Sequence, residues 1–286
     1  MTLRDGAGAP PQDDADDASR LSDLIETWRS AVAEFVALVR DVPEDQWHLP
    51  TDLQGWSVKD NAAHTAHLEG VLAGTPEETV PVDESAPHLK SFMNIYTEQG
   101  VVARREQDMA AIADDIEAAA ATRYAELQAT PPTDGSAAPP RTPGSIPWDN
   151  NTLLSNRPLD VWMHEQDIRR AIGRPGGYDT AGALHTITKF GGALPMVLGK
   201  RVAPPAGTVV RLDVPEADVS WTVAIGDDGR AAVTEQAAAP TVLIELSAED
   251  FIVLAGGRRG LEATSPTFTG DEELGRAVLS NFSVTP

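Results

Sequence analysis

Apolar side chains at Leu21, Leu24, Ile25, Trp28, Val32, Phe35, Val36 and Val39 recur every three or four positions, the period of a helix that buries one face. They predict a helix from about Ser19 that ends at Pro43. Ser57 is placed as the N-cap of a second helix, with Asp60 three residues on in the capping-box position. That helix carries Ala62, Ala63, His64, His67 and Leu68 and stops near Gly74. After an acidic loop, the spacing of Phe92, Ile95, Val102, Met109, Ile112, Ile116 and Leu127 predicts one long helix over residues 89–129. Residues 131–147 are rich in Pro, Gly, Ser and Thr and form a connection of unusual length, the kind that is functional or disordered. A fourth helix spans about residues 152–172 and is broken by Gly173, Pro175, Gly176 and Gly177. Four helices with one long irregular connection predict a four-helix bundle, whose core commonly houses metal sites.

Beyond Gly177 the period changes. Residues 180–198 read as a helix, and 209–214, 219–225, 231–234 and 242–246 alternate as strands do. Ser247, Ala248 and Glu249 open a helix through Phe251, Ile252 and Leu254, and a last helix covers about 272–279. The fold class is therefore α+β. Its expected parts are an acidic, disordered tail over residues 1–18, a helical bundle over 19–175 and an α+β domain over 176–286.

Charge and composition narrow the partners. Asp and Glu total 44 against 22 Lys and Arg, a formal charge of −22 over 286 residues, so phosphate-rich partners are repelled and neither nucleic acid nor an anionic membrane is expected. The chain has no Cys, which excludes disulfides, thiolate metal ligands and a protein sulfur nucleophile. No apolar run approaches the roughly 20 residues of a membrane span. The N-terminus lacks the basic and apolar regions of a signal peptide, so a cytoplasmic location is expected.

Two helical segments carry candidate chemistry. Asp160 and His164 stand four apart, one above the other on a helix face. With a His from a neighbouring helix they make three protein ligands and leave a position open, the pattern of a catalytic metal site. Imidazole and carboxylate donors suit zinc first, with nickel or iron also compatible. His67 follows His64 by three and is a fourth ligand, a supporting group or simply a core histidine. Asp167 follows His164 by three and either orients an imidazole or pairs with Arg169 or Arg170. Lys59 and Glu165 read as solvated, and Gly256-Gly257-Arg258-Arg259-Gly260 as a helix C-cap in preference to an anion loop.

The stretch from Trp47 to Pro50, Leu53-Gln54-Gly55-Trp56-Ser57-Val58-Lys59-Asp60, Ala63-His64, and Asp160 to Asp167 with its inner His164 resembles the mycothiol-dependent maleylpyruvate isomerase family. Leu246-Ser247-Ala248-Glu249-Asp250-Phe251 followed by Gly256-Gly257-Arg258 extends the resemblance over nearly all of the chain after the tail. The resemblance implies a DinB-like metal-binding bundle followed by a sterol-carrier-like domain. It also implies a zinc ion held by His64, Asp160 and His164, with Asp160 where the family isomerase has a Glu one methylene longer. An Arg of the bundle receives the substrate carboxylate in that enzyme, and Arg104 or Arg105 is the corresponding candidate here. Mycothiol is the implied thiol cosubstrate, its sulfur activated at the open metal position. In the family isomerase, addition to a cis double bond, rotation and elimination give the trans isomer, and other members transfer the thiol. The expected function is thus a metal-dependent isomerase or S-transferase acting on a small electrophile, with Arg104, Arg105 and Asp167 as its catalytic candidates. Two other classes stay open: a metal-dependent hydrolase with Asp167 or His67 as base, and a non-catalytic, metal-stabilised ligand carrier or regulator. The loop 131–147 is a candidate lid in each. Oligomeric state is not legible.

Overall fold

The computed structural model describes residues 14–234 and 239–285. Five helices come first: α1 (Asp14–Arg40), α2 (Val58–Leu72), α3 (Phe92–Ala103), α4 (Met109–Ala129) and α5 (Asn150–Ala171). Helices α1, α2, α4 and α5 pack around Leu21, Trp28, Phe35, Ile112, Ile116 and Val161 to form the expected bundle, while α3 lies against α2.

Two boundaries differ from the pattern-based expectation. Helix α1 begins before Ser19, because Asp17 is tied down: its carboxylate accepts from Arg20 at 2.6 Å and from the Gly135 amide at 2.8 Å. The rest of the expected disordered tail, residues 1–13, lies outside the described residues. The single helix expected over 89–129 is two. Ser91 caps α3, and Asp108 caps α4 by accepting from Ala110 N at 2.8 Å, so the backbone leaves the helix between Arg104 and Asp108. Val101 and Met109 are both buried on either side of this break, which is why the apolar spacing reads straight through it.

The second half contains α6 (Ala181–Gly191), the single turn α7 (Leu194–Met196), β1 (Val209–Val214), β2 (Val219–Ile225), β3 (Ala231–Val233), β4 (Val242–Glu245), α8 (Ala248–Ala255), β5 (Thr267–Gly270) and α9 (Glu272–Ser280). The strands form one sheet in the order β3-β2-β1-β4-β5, with only the β1–β4 pair parallel. Strand β5 was not expected; it is four residues long and its one apolar side chain, Phe268, is half-buried. The helix expected over 180–198 stops at Gly191, where a Cβ would lie 2.1 Å from the Trp221 ring, so only glycine lets the helix end approach the sheet.

There are two apolar cores, and α5 serves both. Leu154, Val161 and Ile168 belong to the bundle core, whereas Leu159, Trp162 and Met163 belong to the core beneath the sheet. Trp162 is fully buried and donates its indole N–H to Gly177 O at 3.1 Å. Among the described residues no helix is long and apolar enough to cross a membrane. Trp162→Ala should lower the unfolding free energy by about 3–5 kcal/mol, the usual range for deleting a buried aromatic. Urea melts followed by circular dichroism measure it, and a loss below about 1 kcal/mol would mean that α5 does not anchor the second core.

Candidate metal centre

Helix α2 starts with a complete capping box. Ser57 Oγ accepts from Asp60 N at 3.3 Å, and Asp60 Oδ2 accepts from Ser57 N at 2.8 Å. One turn later His64 projects toward α5. There Asp160 and His164 meet it, and one donor atom from each of the three lies within 4.8 Å of the other two. His64 Nε2 is 3.5 Å from Asp160 Oδ2, and His164 Nε2 is 3.6 Å from Asp160 Oδ1. The three residues expected as metal ligands are thus brought together.

The donor set fits a divalent ion. Both ring nitrogens of His64 are buried without a hydrogen-bond partner, a costly arrangement for an imidazole that has no ligand role. His164 is prepared from behind. Asn61 donates through Nδ2 to Ser57 O at 2.9 Å, which leaves its Oδ1 as an acceptor 2.8 Å from His164 Nδ1. His164 therefore carries a proton on Nδ1 and presents Nε2 to the cluster. Trp56 roofs the site, its ring centroid 4.9 Å from that of His64 and 5.9 Å from that of His164.

Electrostatics follow from burial and neighbours. Burial, reinforced by the nearby His164, pushes His64 down to about 4, so at neutral pH its imidazole is uncharged. Burial would also depress His164, but the Asp160 carboxylate outweighs it and raises the imidazole above its usual value. Burial opposes ionisation of Asp160, yet Arg157 and His164 hold it well below the ordinary carboxylate range. Asp160 thus favours the protonated form of His164, and a metal ion at this site would compete with that proton.

Asp167 is fully buried. Its carboxylate lies 3.4 Å from His164 Nδ1 and accepts from Arg258 Nη2 at 2.9 Å and from Arg170. It is therefore ion-paired and at the same time in contact with the His164 ring. His67 is buried but outside the triad. Its ring packs 5.0 Å from Tyr96 and against Gly100, where a Cβ would lie 2.1 Å from the imidazole. Arg104 donates to Gly100 O at 3.0 Å and pairs with Glu78 at 3.2 Å. Arg105 is half-exposed and pairs with Glu98 at 2.6 Å, and Glu98 accepts from the Trp56 indole at 2.8 Å.

Lys59 and Glu165 are not solvated. Lys59 Nζ donates to Arg105 O at 2.7 Å, which fastens the α3–α4 turn to α2. Glu165 is fully buried and bound to Arg169 at 2.7 Å, with its carboxyl raised by desolvation. Their charge suggested exposure, but α2 around Lys59 and α5 around Glu165 are walled in on nearly all sides. Gly256 is the α8 C-cap as expected, and Arg258 beyond it reaches Asp167.

Three supporting residues escaped the sequence reading: Asn61, Glu69 and Arg157. Arg157 is buried and bridges Asp160 Oδ2 at 2.8 Å to Glu69 Oε1 at 2.7 Å. For Asn61 and Arg157 a signal was present, as polar residues one turn before His64 and Asp160.

Residues 28–169 match the family model described as the mycothiol maleylpyruvate isomerase N-terminal domain. Among solved structures, the chain is similar to a crystal structure of the mycothiol-dependent maleylpyruvate isomerase, with 18% identity and a TM-score of 0.50, covering 86% of this chain and 92% of that one. A point mutant of that isomerase matches over the same shares with a TM-score of 0.48. Among curated proteins there is no significant match.

His67 generates a pH prediction. Burial lowers its pKa from 6.5 to about 3. Between those values the unfolded chain binds a proton that the folded chain refuses, so stability falls as the pH drops through this window. The contribution is at most about 1.4 kcal/mol per pH unit. In metal-free protein, His67→Leu should flatten the decline of the melting temperature between pH 6.5 and 4.5. Parallel curves for the two proteins would refute the assignment.

Proposed function

Because the chain belongs, through residues 28–169, to the mycothiol maleylpyruvate isomerase family, we propose that it is a metal-dependent enzyme using a low-molecular-weight thiol. Mycothiol is the thiol we assign, and isomerisation or thiol transfer on a small electrophilic substrate is the reaction class. The observation that carries this is the convergence of His64, Asp160 and His164 in a chain with no cysteine: the donors suit a divalent ion, zinc first, and the nucleophilic sulfur must come from outside. When bound, the ion supplies a Lewis-acid position at which a thiol loses its proton near neutral pH.

The protein's own groups do the rest. Asn61 holds the His164 ring with Nε2 facing inward, and Asp167 lies behind the same ring. Arg157 keeps Asp160 ionised and in place. Trp56 excludes water from one side of the two imidazoles. Arg104 and Arg105, at the α3–α4 turn, are the guanidinium groups we assign to the substrate carboxylate. Arg105 is the more open of the two, with its side chain 48% exposed.

Two outcomes test this. His64→Ala and His164→Ala should each weaken zinc affinity by about tenfold or more, measured by competition with a chromophoric chelator. Full metal retention in both variants would place the site elsewhere. Cobalt-substituted protein titrated with mycothiol should develop a sulfur-to-cobalt charge-transfer band, absent in His164→Ala. No spectral change, together with thiol-independent turnover of esters or amides, would favour a hydrolase.

A further inference from the structure

A second feature lies at the other end of the bundle interior. The loop over residues 131–147 is pinned to the start of α5: Ala137 O accepts from Asn150 N, Gly135 O from Asn151 N and Asp134 O from Asn150 Nδ2, each at 2.9 Å. Arg141 ties its far side to Leu72 O at 2.9 Å. Between these anchors the loop arches over a cavity of about 530 Å³. That volume falls within the range of small-molecule sites. Leu153 lies two turns before Asp160 on α5, about 10 Å along the axis at about 1.5 Å per residue, so the cavity is separate from the metal centre.

Its wall is mainly apolar, formed by Leu72, Leu127, Leu153, Leu154 and loop prolines. Three charged groups line it besides Arg123, and their charges are locally engaged. Glu126 is paired with Arg141, and Asp134 accepts from Ser136 N at 2.8 Å and Ser136 Oγ at 2.7 Å. Arg123 differs. It is buried and stacks over Trp28 at 4.6 Å, and its Nη1 has no hydrogen bond, only a contact of 3.5 Å to Glu69 Oε2. Glu69 is already committed, accepting from Arg157 at 2.7 and 3.1 Å and from the Trp28 indole at 3.1 Å. Arg123 is thus a desolvated cation with an incomplete share of one anion, and burial draws its pKa down to about 10. A cation so placed beside an apolar cavity selects an anion with an apolar body.

We propose that the cavity beneath the 131–147 loop is a second small-molecule site, binding a carboxylate with an aliphatic or aromatic body whose charge is set against Arg123. The site does not depend on the metal chemistry proposed above. The occupant lies between the loop and the Leu153–Leu154 face of α5, with its carboxylate toward the ion cluster.

The probes are octanoate and phenylacetate, titrated into the full-length protein by calorimetry beside octanamide and phenylacetamide. Saturable one-site binding of the acids is expected, with the amides weaker by about tenfold or more. Leu127→Trp fills the cavity while leaving the ion cluster untouched and should weaken acid binding by about tenfold or more. Arg123→Gln should do the same, and if it fails to fold, Leu127→Trp decides. His164→Ala should leave acid binding unchanged. No saturable binding of either acid, equal binding of the amides, no effect of Leu127→Trp, or loss of binding in His164→Ala would each overturn the proposal.

Discussion

The buried bridge made by Arg157 is the constraint around which the bundle interior is organised. One guanidinium holds Asp160 on one side and Glu69 on the other, with Arg157 and Glu69 fully buried and Asp160 partly so. Removing any member would strand a charge where desolvation is costly, so the three positions depend on one another. Burial alone would disfavour the charged guanidinium, but Glu69 and Asp160 more than restore it, and its pKa lies above the usual arginine value. This explains how an aspartate, with its shorter reach, is kept aimed at two histidines on different helices.

Seen along the bundle axis, the polar interior has three levels. His64, Asp160 and His164 form the first, Glu69, Arg157 and Arg123 the second, and the cavity beside Arg123 the third. Signs alternate from group to group along Asp160, Arg157, Glu69 and Arg123. Each charge in this row is answered by its neighbour, in a medium that screens poorly. The acidic exterior, with its formal charge of −22, has little bearing on this interior, where cations and anions are matched one by one.

Much of this was legible from the residues. The Asp160–His164 pair was legible from its spacing, because helical geometry makes a four-residue interval a contact, while the family resemblance singled out His64 from the two histidines of the Ser57-capped helix. The strands β1, β2 and β4 were legible from alternation. What could not be read has a common physical origin. Periodicity reports which residues are apolar, not which polar residues find partners, so Lys59 and Glu165 look solvated until the packing of α2 and α5 is known. Asn61, Glu69 and Arg157 act through contacts between helices far apart in sequence. The break between α3 and α4 was hidden because Asp108, a capping residue, interrupts an apolar pattern that resumes in phase. Strand β5 owes its existence to pairing with β4, a neighbour supplied by topology and not by its own composition.

Helix α5 has one face in each apolar core, with Trp162 turned to the sheet and Val161 to the bundle. The seam between the halves of the molecule thus runs along the length of a helix, not through the connection that follows it. The halves are not interchangeable cassettes. Recombination between relatives at the glycine-rich connection would join a C-terminal part to an α5 surface shaped for another partner. Leu159, Trp162 and Met163 must therefore co-vary with the sheet they cover, even though they lie in the segment that also bears Asp160 and His164.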